Sequence, residues 1–407
     1  MTDSYTEVTS ENIFTRTKNS IGGIFFGFLL FLIAFPVLWF NEGRAVKTAK
    51  ALSEIGNSYT VVSADKVDSS NEAKLIYVNG KAQTTATLSD STFAVSQPGI
   101  HLNRVVEMYQ WKEKESTKTE EKLGGTKETT KTYDYTKGWS SSSQNSNNFK
   151  VQEGHINPRM IYSGESYTAP NVSLGAFELG GSLKERISGA QKLTLNDSQL
   201  ANLPSELKSK TKLSNGAFYI GENPASPKVG DYRIRYTYVP SEVTVSVLAK
   251  QQGSSFTAYQ TSNGKSMMFL RTGTVGPDEI VGQEQASNTT LTWILRGVGM
   301  LLMFFGLMAI VAPLRVMSSV IPALGNLVGA AFGMVAFLIS LAISAVVIGA
   351  AWIFYRPVLG ISLLVIAAVL IFLGIKFGKK KATPPPPVAA SEPPPAPSSS
   401  APPPIPE

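Results

Sequence analysis

GVGMLLMFFGLMAIVAPLRVMSSVIPALGNLVGAAFGMVAFLISLAISAVVIGAAWIFYRPVLGISLLVIAAVLIFLGI, residues 297–375, carries only Arg315 and Arg356 as charged side chains. Surface helices of water-soluble folds keep a polar face, so a run this apolar belongs in hydrocarbon. The two arginines divide it into Gly297–Leu314, Val316–Tyr355 and Pro357–Ile375. A helix needs about 20 apolar residues to cross roughly 30 Å of bilayer core, so the outer pieces each fit one crossing. The middle piece is too long for one upright helix. Pro322, Gly325 and Asn326 mark a lead-in over 316–326, interfacial or re-entrant, before a long tilted span over 327–355.

Towards the amino end a second apolar run, Ile21–Phe40, stands alone and free of charge. A signal peptide has an apolar region of roughly 7–15 residues and a small-residue cleavage site. Here Phe35-Pro36-Val37-Leu38-Trp39-Phe40 closes the run with bulky residues, which predicts a retained span with Trp39 at the interface. Four spans follow: 21–40, 293–314, 327–355 and 357–375. Lys376, Lys379, Lys380 and Lys381, directly after the last span, form the positive cluster expected on the cytoplasmic side. An even number of spans then places residues 1–20 on that side too and exports 41–292. Arg44, Lys47 and Lys50 oppose this orientation, but in a long translocated region the charge rule is weak.

The exported region opens with NEGRAVKTAKAL (Asn41–Leu52), whose Ala45, Val46, Ala49 and Leu52 recur at helical spacing. The first span is therefore expected to continue beyond the membrane. Strand signals follow at Lys74–Val78, Arg104–Trp111, Asp231–Val239, Glu242–Leu248 and Ser266–Arg271, with helices expected near Phe177–Ser188 and Asp197–Lys210. The fold class predicted is an α+β membrane protein: one amino-terminal and three carboxy-terminal transmembrane helices, plus a large exported β-rich domain. Lys112–Asn148 is rich in Lys, Glu, Thr, Ser and Asn, a composition that buries no core of its own. It reads as a solvated insertion or as a long hairpin turning at Gly124-Gly125. Aromatic pairs favour the hairpin, with Tyr109 and Trp111 facing Tyr133, Tyr135 and Trp139. Residues 376–407 turn from basic to Pro/Ala/Ser-rich, a disordered cytoplasmic tail.

Several function classes are excluded or disfavoured by composition. The chain has no cysteine and only His101 and His155, which rules out disulfides and thiolate metal sites and argues against any histidine-rich one. No metal or other cofactor is expected. The net charge of +7 is concentrated nowhere long enough for a nucleic-acid groove. His155, in the turn-like GHINP, reads as a hydrogen-bonding turn residue rather than a base, since no nucleophile or acid stands at a recognisable spacing. Glu107, within a strand, is either a perturbed carboxylate or one on a water-facing pleat. The spans contain no acidic residue, which disfavours coupled transport. Asn171, Asn196 and Asn288 open N-x-[ST] strings that chance explains. Gly23/Gly27 and Gly329/Gly333 are small residues four apart, the spacing that lets helices pack closely.

Five strings together resemble the transmembrane protein 43 (LUMA) family: NEGRAVKTAKAL (41–52), VEMYQW (106–111), GHINP (154–158), ENPASPKVGD (222–231) and WIFYRP (352–357). The likeness runs in order from about Ser20 to Lys376. It implies one span, a large luminal or periplasmic domain, then three spans, and no catalytic residues. It also implies, for eukaryotic members, residence in the endoplasmic reticulum and inner nuclear membrane, association with emerin, lamins and each other, a link to nuclear envelope organisation, and a suggested contribution to ion conductance. The Pro/Ala/Ser tail and the absence of cysteine depart from animal members and suit a bacterial inner-membrane protein, where emerin and lamins have no place. The reading is a non-enzymatic, self-associating membrane scaffold in contact with membrane lipid and other envelope proteins. An ion channel or channel subunit is the alternative, and a membrane-anchored enzyme using His155 a second one.

Overall fold

A computed structural model describes residues 3–320 and 322–358, with separate positions as far as 369. Seven helices occur among the described residues: α1 (Ile13–Ser58), the short turns α2 (Gly181–Lys184), α3 (Asp197–Ala201) and α4 (Ser205–Lys208), then α5 (Pro277–Ile310), α6 (Ala312–Ser318) and α7 (Pro322–Tyr355). Three are long and apolar enough to cross a membrane: α1, α5 and α7 from Leu327. The fourth span expected at 357–375 lies largely outside the described residues, as does the lysine cluster at 376–381.

α1 is one uninterrupted helix, capped at its start by the Asn12 side chain accepting from the Thr15 amide at 2.9 Å. It carries the apolar span straight on into the NEGRAVKTAKAL segment, as helical spacing predicted. α5 begins at Pro277, where a proline costs no helical hydrogen bond, well before Trp293 where the span was expected to start. At the other end of the bundle the lead-in to α7 is the separate short helix α6.

The β-rich domain has two main sheets. One runs in the order 3–11, 127–140, 101–121, 232–239, 217–220, 211–214, and the second in the order 269–272, 242–252, 255–257, 177–178, 173–174, 75–83, 60–63. Their facing sides share a core that includes Ile76, Val78, Val245 and Val247 from one and Leu102, Val106, Phe218, Ile234 and Tyr236 from the other. Leu75, Tyr77, Leu248 and Phe269 point the other way and pack on Leu52 and Ile55 of α1 and Ile280 and Val281 of α5. Residues 75–78 are therefore apolar without alternation because both faces of the strand are covered.

Four of the strand signals fall on single strands to within one residue, and Ser266–Arg271 covers parts of two, 266–267 and 269–272. The two helix expectations shrink. Phe177-Glu178 pairs as strand, with Gly180-Gly181 leaving room for only the turn α2, and Pro204 splits 197–210 into α3 and α4. Lys112–Ser140 is the hairpin, turning at 122–126, with Tyr109 opposite Trp139 and ring centroids 5.3 Å apart. Tyr133 and Tyr135 sit nearer the tip, opposite Glu115 and Glu113.

A third strand joins this hairpin. Asp3–Glu11, within the 1–20 segment expected on the cytoplasmic side, pairs antiparallel along Tyr135–Lys127. The resulting three-stranded arm leaves the domain near Met108, which pairs with Tyr232, and ends at the opposite extremity of the helix bundle. There the Arg16 guanidinium donates to the Gly125 carbonyl (2.6 Å), Glu121 (2.6 Å) and Ser319 Oγ (3.1 Å), and the Gly124 amide donates to the Val320 carbonyl at 3.0 Å. From Trp111 to Glu121 the arm extends about 34 Å at ~3.4 Å per residue. The apolar part of α1, 21–40, is about 30 Å long at ~1.5 Å per residue. The polar arm thus runs beside the bundle for the length of a membrane crossing.

Candidate functional site

Where α1 leaves its apolar run, each residue of Asn41-Glu42-Gly43-Arg44 meets another helix. Glu42 is fully buried. Its Oε1 accepts from Arg296 Nε at 2.6 Å, and its Oε2 from Arg296 Nη2 and from Trp352 Nε1, at 2.9 and 2.8 Å. α1, α5 and α7 thus converge on one carboxylate. The Arg296 guanidinium lies over the Trp293 ring at 4.6 Å and near Trp352 at 5.5 Å, contacts that reinforce a desolvated cation. Asn41 Nδ2 donates to the Thr292 carbonyl at 3.0 Å. Arg44 donates to Asn288 Oδ1 (2.9 Å), Asn41 Oδ1 (3.1 Å) and Thr292 Oγ1 (2.9 Å). Asn288, first of the residues of one N-x-[ST] string, returns a bond to the Ala45 carbonyl at 3.1 Å. At Gly43 a Cβ would stand 2.6 Å from the Tyr355 ring, so α1 and the end of α7 meet only because this residue has no side chain.

Chemically this is a clamp. Both Glu42 oxygens are engaged, and burying two opposite charges costs about as much as their attraction returns, so the pair adds little net stability. What it supplies is orientation, because a half-made pair inside the bundle is strongly unfavourable. The spans as bounded from sequence contain no acid, yet Glu42, two residues past Phe40, is inside the bundle. A single glutamate closing one apolar run and a single arginine opening another were the available signal.

The remaining sequence candidates fall elsewhere. Gly27 packs against Gly306, where a Cβ would be 2.7 Å from the Gly306 carbonyl, whereas a Cβ on Gly23 or Gly333 meets nothing within 4 Å and one on Gly329 meets the Arg315 side chain. His155 is buried, stacked on Tyr135 at 3.9 Å and edge-on to Trp111. Its ring nitrogens bond the Val151 carbonyl at 3.1 Å and Asp3 at 2.9 Å, so it fastens the amino-terminal strand to the arm. His101 bonds Thr168 and the Lys184 carbonyl. Glu107 is ion-paired with Arg233 and Arg235 at 2.8 and 2.6 Å. Within the domain core Asp90 and Arg104 form a second buried pair. Arg104 Nη1 reaches both Asp90 oxygens at 2.7 Å, and Tyr236 and the Thr92 amide donate to the same carboxylate. Burial pushes the Asp90 carboxyl up, but bonds from Tyr236 and Arg104 outweigh that and hold it below the usual carboxylate range. Among the described residues no three His, Asp or Glu side chains are placed to hold a metal ion.

These features define an integral membrane protein in which three membrane-length helices are locked by a buried polar clamp beneath a β-rich domain. The chain belongs to the transmembrane protein 43 family. The family model "Transmembrane protein 43" matches residues 108–357. Transmembrane protein 43 of Mus musculus is 34% identical over 370 residues, covering 87% of this chain and 90% of the mouse protein. The Homo sapiens protein is 34% identical over 357 residues (84% and 86%), and the Drosophila melanogaster homolog 31% over 360 (84% and 91%). No solved structure matches. Two of the strings that carried the resemblance, 41–52 and 352–357, meet at the Glu42 clamp.

Proposed function

We propose that the protein is a non-enzymatic membrane scaffold that self-associates, organising its membrane and presenting the β-rich domain on the exported side. The observation that carries this reading is the arm. Its strands are rich in Thr, Ser, Lys and Glu, its outer strand Asp3–Glu11 is exposed along nearly all its length, and it lies beside helices that are apolar all round. Backbone groups on an open sheet edge have no partner in hydrocarbon, at several kcal/mol each. The chain's own helices meet the arm at its tip, through Arg16, Gly125 and Val320. Protein or water must therefore surround the rest, and further copies of the chain are the simplest source.

The same observation favours a second reading, a channel or channel subunit. Ser4, Thr6, Ser116, Thr130 and Thr132 share one face of the arm and would offer hydroxyls to a water-filled passage. An enzyme based on His155 finds no such support, since both ring nitrogens are occupied. The test uses the absence of cysteine: Lys118→Cys, an exposed position on the arm, gives a single thiol. Disulfide-linked dimers forming in native membranes under mild oxidation are expected. Exclusively monomeric protein, together with a lipid-accessible spin label at that site, contradicts the reading. Bilayer recordings separate the channel from the scaffold.

A further inference from the structure

Beside the clamp is a cavity of about 310 Å³ with Asn288, Thr292, Trp293, Arg296, Trp352 and Arg356 in its wall. The charges around it do not balance. Arg44, Arg296 and Arg356 contribute three positive charges and Glu42 one negative, leaving two in excess. Arg296 alone of the three has a carboxylate within 4 Å among the described residues. Arg44 is held only by neutral oxygens, and its Nε is buried without a hydrogen-bond partner. Arg296 spends Nε and Nη2 on Glu42, which leaves Nη1 for another acceptor. The Arg356 guanidinium has the Trp352 ring at 5.9 Å as its neighbour.

The position narrows the ligand. Trp39, Trp293, Trp352 and Tyr355 gather at this end of the bundle, the arrangement that marks the boundary between hydrocarbon and headgroups. Trp293 and Ile294 are 64% and 56% exposed on the outer face of α5, where acyl chains run. An isolated anion would gain the charges but not that apolar wall. We infer that this cavity binds the phosphate of an anionic membrane lipid, with Arg356 and Arg296 Nη1 on the phosphate oxygens and Trp293 against the first carbons of the chains. A guanidinium is suited to this because its fork matches two phosphate oxygens. The site lies within one copy of the chain, so it is independent of self-association.

The full-length protein in a neutral detergent provides the test, with thermal stability followed as short-chain phosphatidylglycerol, short-chain phosphatidylcholine or inorganic phosphate is added. Saturable stabilisation by phosphatidylglycerol is expected, with no comparable response to the other two. Arg356→Gln should weaken that response about five-fold, the roughly 1 kcal/mol that one basic group contributes beside anionic headgroups. Arg356→Lys, which keeps the charge but loses the fork, should weaken it by less than Arg356→Gln does. Lys228→Gln, an exposed lysine of the β-rich domain outside the wall of this cavity, controls for general charge effects and should leave the response unchanged. Equal stabilisation by both lipids, or a phosphatidylglycerol response untouched in Arg356→Gln, overturns the site. Saturation by inorganic phosphate at the same concentrations overturns its assignment to a lipid.

Discussion

Glu42 shows how much one side chain can decide in a chain with few charges in its bundle. Replacing it with Gln keeps the shape but leaves the largely enclosed Arg296 cation facing a neutral amide. A destabilisation of about 3–5 kcal/mol is expected, read as a lower unfolding temperature in detergent. Arg296→Met alone should cost a similar amount, and the double variant Glu42→Gln/Arg296→Met distinctly less than the sum, since the pair fails as a unit. Additive losses would mean the two residues act separately. Asp90 carries the corresponding role inside the domain, with a pH signature. Its carboxyl is depressed in the folded state, so its contribution is complete above the unfolded value of about 4 and disappears as pH falls through the lower folded value. Stability of the domain should therefore hold from neutral pH down to about 4 and fall below it. Asp90→Asn should cost about 3–5 kcal/mol at pH 7 and flatten that acid limb. An unchanged acid limb would remove Asp90 from its cause.

At the scale of elements, the backbones of α1 and α5 meet at Gly27 and Gly306, where a Cβ on either would stand 2.7 Å from the other's carbonyl oxygen. Gly306→Val should force the helices apart at a cost of about 1–3 kcal/mol, whereas Gly23→Ala, with open space, should be neutral or slightly stabilising. Thermal unfolding of the two variants side by side decides this. The arm shows what was legible in the sequence and what was not. The hairpin could be read because Gly124-Gly125 and the aromatics on either side mark a turn between paired strands. Its third strand could not. Asp3–Glu11 has no apolar alternation, since both of its faces are polar, and its partner lies more than a hundred residues away. The Glu42–Arg296 pair was hidden for a related reason: treating each charge as the edge of a span discards the information that two such edges sit at the same depth. The helices expected at 177–188 and 197–210 were over-read because local composition allowed them while Gly180-Gly181 and Pro204 did not. Removing residues 3–11 should loosen the arm, seen as faster amide exchange over 127–135, with the domain core unaffected. Protection unchanged over 127–135 would mean that the third strand contributes nothing.

For the whole molecule the parts fit one physical account. A long helix ties the domain to the bundle, a buried clamp fixes three helices at their domain-side end, and Arg16 fixes the arm tip at the other. The arm is then tied at both ends of the membrane-length helices with its backbone edges open, and we propose that further copies of the chain cover those edges. Light scattering of the purified full-length protein in a mild detergent, corrected for bound detergent, reads self-association as a mass. A self-associating chain gives a protein mass at a small whole-number multiple, two or more, of the 43.8 kDa chain, stable on dilution. A mass of 43.8 kDa at every concentration would contradict it.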